Sequence, residues 1–284
     1  MKVYYSKTQK TVLWCVFVIF LLYGLTLLYP FIWAFFNSVK DMNDYTYNIN
    51  GLPQKWIFSN YIDAFKMLKI GKVTFIELFG NAIVYTILST CLSLASSALA
   101  AYTTAKYDFK LKSFFYALAI FSMVIPIVGS LPSQYRLVKT VLKFDNIPGM
   151  SIVNSGGFGY NFIVLYAFFK AISWEYAEAA IIDGASDFTV FLRIMLPQAR
   201  PALVAIFITA AIGTWNDYMT PLIFLGQKTP LLSYALYDMK ITYGDTDTTI
   251  FLAGNLIATL PMVIVFSVFS NTIIENTVAG GLKG

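Results

Sequence analysis

The sequence predicts an all-α integral membrane protein with six transmembrane helices, and three observations carry that prediction. Hydrophobic residues make up 58% of the 284 and charged residues only 12%, with a mean hydropathy of +0.66, whereas a soluble domain carries about 25% charged residues. Uncharged runs of roughly 20 residues, the length a helix needs to cross a bilayer, recur along the chain with short polar punctuation between them. Histidine is absent, which removes Ser-His and Cys-His catalysis and HExxH zinc chemistry. The two cysteines, Cys15 and Cys91, sit inside apolar runs and read as buried packing residues rather than a disulfide or a metal site. The formal charge of +5 is scattered between apolar segments, so it suits anionic lipid headgroups and not nucleic acid.

The first span, 12–36, carries no charge and is followed by no small-residue cleavage site, so it reads as an uncleaved anchor. A polar segment, 37–74, forms the large external loop. The second span (78–102) and third (113–132) flank a short link containing Lys106, Lys110 and Lys112, and the third bends or ends around Pro126 and Pro132. The fourth, 152–171, opens on Asn154, Ser155, Gly156 and Gly157. The fifth covers 202–225, with Trp215, Asn216 and Asp217 at its polar far end, and the sixth covers 250–274. The chain reads as one transmembrane domain over 1–284. Lys and Arg divide evenly between the two sides. The basic stretch before the first span then favours cytoplasmic N- and C-termini.

The segment between the fourth and fifth spans, 172–201, is the most informative. Glu175 to Asp183 contains good helix formers with acids near the start, and Gly184 stands where a left-handed C-terminal cap is wanted. Ser186 can cap a second helix with Asp187 in its first turn, and Pro197 and Pro201 break the chain before it returns to the membrane. Ala177, Ala180, Ile181 and Gly184 share one side of the first helix, a smooth face suited to insertion into a groove, with Glu175 and Glu178 flanking it. Spacing alone also fits an amphipathic hairpin lying on lipid.

Glu178-Ala179-Ala180, three residues, Gly184, nine residues, then Ile194-Met195-Leu196-Pro197 fills every position of the EAA signature (EAA, x3, G, x9, I, x, L, P). The chain therefore resembles the permease subunits of ABC importers. Ile181-Ile182-Asp183-Gly184-Ala185, Trp215-Asn216-Asp217-Tyr218, Leu131 to Leu137 and the C-terminal Ala279 to Gly284 are similar to elements of the maltose-type carbohydrate uptake permeases, although Ile181 replaces a more usual arginine. The resemblance implies a type I importer fold whose 172–201 loop is a cytoplasmic coupling helix. Glu175, Glu178, Ala179, Ala180, Asp183, Gly184, Ala185, Leu196 and Pro197 would then dock on an ATPase subunit. It also implies a bacterial cell membrane, a second homologous permease, two ABC ATPase subunits, an extracytoplasmic solute-binding protein and a carbohydrate substrate, an oligosaccharide by preference.

No G-x-x-x-x-G-K-[ST] phosphate cradle occurs; Gly226-Gln227-Lys228-Thr229 lacks the preceding glycine. ATP and Mg would belong to the partner subunits, and the chain itself is expected to have no cofactor, metal or catalytic site. Ser89, Ser93, Ser97 and Ala101 form a small-residue ridge that reads as helix packing before pore lining. Asn216 and Asp217 are candidates for a solute path or outer gate, since a charge in hydrocarbon is costly, although a structural cap also fits Asp217. Trp33, Phe35 and Phe36 read as an interfacial belt. The alternatives are a permease for a non-sugar solute and, from another class, a channel or structural membrane protein without an ATPase.

Overall fold

The computed structural model describes residues 6–124 and 129–281, with side chains through Ser270. Every element of more than one residue among those described is a helix, and the chain divides into two compact units: Met1–Leu68 with Asp238–Thr259, and Lys69–Tyr237 with Leu260–Gly284.

In the first unit, α1 (Lys7–Ser38) starts at a capping box. Ser6 accepts from the Gln9 N–H, and the Gln9 side chain accepts from the Ser6 N–H. Its apolar stretch is exposed all round, Cys15 included, which fits a helix solvated by lipid rather than one packed in a core. The expected loop 37–74 is itself folded: it contains α2 (Met42–Tyr47) and α3 (Ser59–Met67). At its centre Lys40 is fully buried, and its Nζ donates to Asn37 Oδ1 at 3.0 Å, the Asn48 carbonyl at 2.5 Å and the Gly51 carbonyl at 2.8 Å. All three donors of the ammonium are thereby satisfied, which a buried cation requires. Asn60 Nδ2 closes the knot by donating to the Ser38 and Lys40 carbonyls, both at 2.8 Å. Trp33 packs on Tyr45 and Phe36 on Trp56, so the belt at the end of α1 lies against this segment.

The second unit is organised on α4 (Phe75–Lys106), opened by a capping box in which Glu77 accepts from the Thr74 N–H at 2.8 Å. After α5 (Lys112–Val124) come α6 (Leu131–Tyr135), continued by a π-helical stretch over Arg136–Leu142, and α7 (Ile147–Val153). Then follow α8 (Tyr160–Ala171), α9 (Glu175–Ile182) and α10 (Asp187–Val190), which runs through a π turn into α11 (Leu196–Gln198). The remaining helices are α12 (Arg200–Asn216), α13 (Leu232–Tyr243) and α14 (Thr248–Gly281), the last two passing between the units.

The main packing of the second unit is α4 against α8, α12 and α7. Ser89, Ser97 and Ala101 of the predicted ridge are buried there, as packing requires, while Ser93 is half-buried and Cys91 is exposed. Ser89 donates to Ser151, Asn154 to the Tyr85 hydroxyl at 2.6 Å, and Ser96 to the Ser155 carbonyl, a polar seam between α4 and the end of α7. Such bonds are worth roughly 0.6 kcal/mol each in membrane proteins, so close approach of small residues contributes as much as polarity.

Several expected boundaries move. Among the described residues, α1, α4 and the Thr248–Ser270 part of α14 are each long and apolar enough to cross a membrane, and the bent pair Asp187–Gln198 with Arg200–Asn216 adds at most one more. The stretch expected as the start of the fourth span belongs to α7. Chain 154–159, with three glycines, separates it from α8, which Gly159 opens as its N-cap at φ +119°, a conformation that glycine adopts without strain. Helix α12 stops at Asn216, and the rest of the stretch expected as the fifth span contains a separate π turn over Pro221–Leu225. Within the third, Pro126 lies outside the described residues, while Pro132 opens α6 instead of ending a helix. Both cysteines, expected to be buried, are exposed, because helices that face lipid turn apolar side chains outward.

Candidate functional site

Chain 172–201 folds as the caps dictate. Alanines at 177, 179 and 180 favour helix, and Glu175 and Glu178 in the first turn suit its positive end. At the other end the Ala185 N–H donates to the Ala180 carbonyl at 2.9 Å and the Gly184 N–H to Ile181 at 3.0 Å, the paired bonds of a Schellman cap. Gly184 makes this possible with φ +88°. Ser186 then caps α10 by accepting from the Thr189 N–H, with Asp187 at the first helical position. The chain continues to Gln198 and turns by 76° into α12, where Pro201 occupies a position that lacks an intrahelical N–H partner in any case.

Of the expected face of α9, the alanines turn inward while Ile181 (44% exposed) and Gly184 stay outside. Ala177 is 0% exposed and Ala180 is half-buried, packed with Val190, Phe191, Met195 and Ala199 of the hairpin against Tyr102, Leu165 and Phe169. The sequence gives the helical period correctly, but the alanine side is turned into the chain's own core. What remains outside is Glu175, Tyr176 (56% exposed), Glu178, Ala179, Ile182 (85%), Asp183 and Gly184, with Phe188 (63%) beside them. Ala185 and Leu196 are half-buried on the same core, and Pro197 is exposed at the bend. Exposed apolar residues interleaved with carboxylates form a patch that neither a core nor plain solvent explains. Sequence reasoning missed Tyr176, Ile182 and Phe188, because periodicity does not say which side of a short helix meets its core.

Two residues at the end of α4 reach this hairpin. Lys106 Nζ donates to the Ile172 carbonyl, and the Tyr107 hydroxyl donates to Asp187 Oδ1 at 2.9 Å. The Tyr107 ring meets Trp174 edge-on at 5.7 Å and Tyr102 at 5.6 Å. Burial pushes the Tyr107 phenol up, and its bonds to Tyr102 and Asp187 push it further. No local sequence signal pairs Tyr107 with Asp187, since 80 positions separate them.

Asn216 and Asp217 are not gathered with the hairpin. Asn216 Nδ2 donates to its own helix at Ile212, and Asp217 Oδ1 accepts from the Met219 and Thr220 N–H groups at 3.0 and 3.1 Å. Ser233 donates to the Asp217 carbonyl, and Tyr218 stacks on Tyr237 at 4.9 Å. Asp217 is thus a cap that ends α12 and starts the next turn. Lys228, in the stretch that partly imitates a phosphate loop, pairs with Asp145 at 3.0 Å. Among the described residues no group of His, Cys, Asp or Glu could hold a metal.

Residues 93–277 match the profile of the binding-protein-dependent transport system inner membrane component family. A melibiose/raffinose/stachyose import permease protein of Bacillus subtilis is 30% identical over 266 residues, 90% of this chain and 91% of that protein. A diacetylchitobiose uptake system permease protein of Streptomyces coelicolor is 25% identical over 93% of this chain and 86% of its own length. Among solved structures, a chain of a bacterial ABC transporter involved in the import of the acidic polysaccharide alginate superposes with a TM-score of 0.76 at 25% identity, covering 95% of this chain and 99% of the other.

Proposed function

This chain belongs to the family of binding-protein-dependent transport system inner membrane components, and from that premise we propose that it is a permease subunit through which an ATP-driven importer brings an oligosaccharide into a bacterium. Family membership sets aside a channel or structural protein. Two relatives named for oligosaccharide uptake and a structural neighbour named for alginate import, each matching along most of this chain, support a carbohydrate over other solutes.

In this reading the chain crosses the cell membrane six times with both termini in the cytoplasm. α5, α8 with α7, and the bent pair ending in α12 each make one crossing, joining α1, α4 and α14. The partners are a second, similar permease, two ATPase subunits that bind ATP and Mg, and an extracytoplasmic solute-binding protein. The observation that carries the coupling role is the outward patch of the EAA hairpin: Tyr176, Ile182 and Phe188 exposed among Glu175, Glu178 and Asp183, on a helix whose opposite side is anchored in the core. An ATPase subunit closing on that patch would move the hairpin.

Ile182→Asp tests this directly, because the side chain makes no buried packing to lose. Membrane level should stay at wild type while co-purification of the ATPase subunits falls about tenfold, the equivalent of roughly 1.4 kcal/mol. Undiminished co-purification would remove α9 as the docking helix. Solute class is read separately, by stimulation of ATP hydrolysis in the complete complex with its binding protein. Stimulation by oligosaccharides but not by amino acids or peptides is expected, and the reverse would overturn the carbohydrate assignment.

A further inference from the structure

The last residue of α4 and the one after it hold both flanks of α9. Lys106 takes the carbonyl of Ile172, which ends α8, and Tyr107 takes the carboxylate of Asp187, which begins α10, while its ring covers Trp174 at the start of α9. The fourteen positions between Ile172 and Asp187 include the exposed patch except Phe188, which follows Asp187 directly. Tyr107 is itself supported: the Tyr102 hydroxyl stands 3.4 Å from it, and Tyr102, buried, packs on Phe169 and Phe191 at 5.6 and 4.9 Å.

Asp187 needs no such bond for local stability, because a carboxylate in the first turn of a helix is already favoured there and solvent is available to it. The bond from Tyr107 instead joins an exposed hairpin to the longest helix of its unit. Removing it leaves the hydrophobic contact of α9 with the core, which resists separation but does not fix direction; a charge-assisted hydrogen bond does both.

We infer that Tyr107, with Lys106, is a positioning residue that fixes the docking hairpin to the end of α4, so that the two move as one body when the ATPase subunits close. This rests on reading 172–201 as the docking segment. A clamp on both flanks makes a push on α9 reach α4 as translation; a hairpin held at one flank would pivot and dissipate the push. α4 then carries the displacement to α7, α8 and α12, against which it packs.

The test measures the distance between spin labels at Thr103, exposed near the end of α4, and Arg193, exposed on the π turn after α10 and outside the docking patch, in a chain lacking Cys15 and Cys91. Measurements are made on the complete transporter, with and without ATP, Mg and vanadate, and on the permease pair alone. One narrow distance, unchanged by nucleotide, is expected for the parent chain. Tyr107→Phe keeps the ring contacts and removes only the donor, and a second, longer component should then appear as the closed-to-open ratio falls about tenfold. Asp187→Ala, which cannot threaten the core, should do the same. Asp187→Asn keeps an acceptor oxygen for Tyr107 and should restore the single distance, a rescue that a merely structural role would not predict. A single narrow distance in both Tyr107→Phe and Asp187→Ala overturns the inference. Failure of the docking reading shows differently: the parent chain would retain no ATPase subunits, while the permease pair alone would still report whether the clamp exists.

Discussion

Segments 37–68 and 172–201 are both polar interruptions in an apolar chain, yet they bury opposite things. Around Lys40 the polar groups are inside, with ammonium, amides and carbonyls saturating one another, while Trp56 and Phe58 stack on the surface at 6.1 Å. In the hairpin the apolar side is inside and the carboxylates are outside. A segment whose hydrogen bonds close on themselves holds its shape without help. One anchored by packing, with its polar and apolar exterior unused, leaves a surface for a partner. The difference separates a segment closed on itself from one with a surface left over by where their unused groups lie.

The largest effect that could break this comparison is Lys40→Met. Removing the ammonium leaves Asn37 Oδ1 and the Gly51 carbonyl without a donor and the Asn48 carbonyl with only the Gly51 N–H at 3.3 Å, and each buried orphan costs about 1–3 kcal/mol. We expect segment 37–68 to lose about 3 kcal/mol, read as faster protease cleavage within 41–58, with ATPase co-purification unchanged. A variant as protease-resistant as the parent would mean that the knot does not hold the segment.

The hairpin supplies the next test, through a pair of alanines two positions apart. Ala177→Leu places a large side chain where exposure is 0% and should cost about 2 kcal/mol by overpacking. Ala179→Leu, on the outer side, should leave the thermal midpoint of the purified permease alone. Equal effects at both positions would contradict the observed rotation of α9.

These tests fall where sequence reading reached its limit. Gly184, Ser186 and Pro201 were legible because caps and breaks are local: a positive φ, one side-chain acceptor and a missing N–H each act within a turn. The ridge of Ser89, Ser97 and Ala101 was legible because small residues at helical spacing have few other uses in a membrane. The inward turn of Ala177 was not, since the same period serves either side of a helix. Lys40 reads in sequence like any loop cation, because the carbonyls that enclose it lie eight and eleven residues on. Composition gave apolar length but not the break at 154–159, which depends on three glycines and one positive φ.

The smallest expected effect is a response of segment 37–68 to acid. Burial raises the Asp44 carboxyl, but the Gln54 N–H, the Asn48 amide and the charge of Lys40 outweigh it and hold the group below its ordinary 3.8. Asp44 Oδ2 accepts from Gln54 and Oδ1 from Asn48, at 2.8 and 2.9 Å. A carboxyl with a depressed folded pKa contributes stability that is fully present above its unfolded value and is lost as pH falls through the folded one. Cleavage within 41–58 should therefore be constant from about pH 7 to pH 5 and accelerate below about pH 4. Asp44→Asn keeps acceptor capacity on one oxygen only and removes the titrating group, so its cleavage should start higher and change less between those limits. If the acid response survives Asp44→Asn undiminished, another group of the segment carries it, and the knot around Lys40 is not stabilised through this carboxylate.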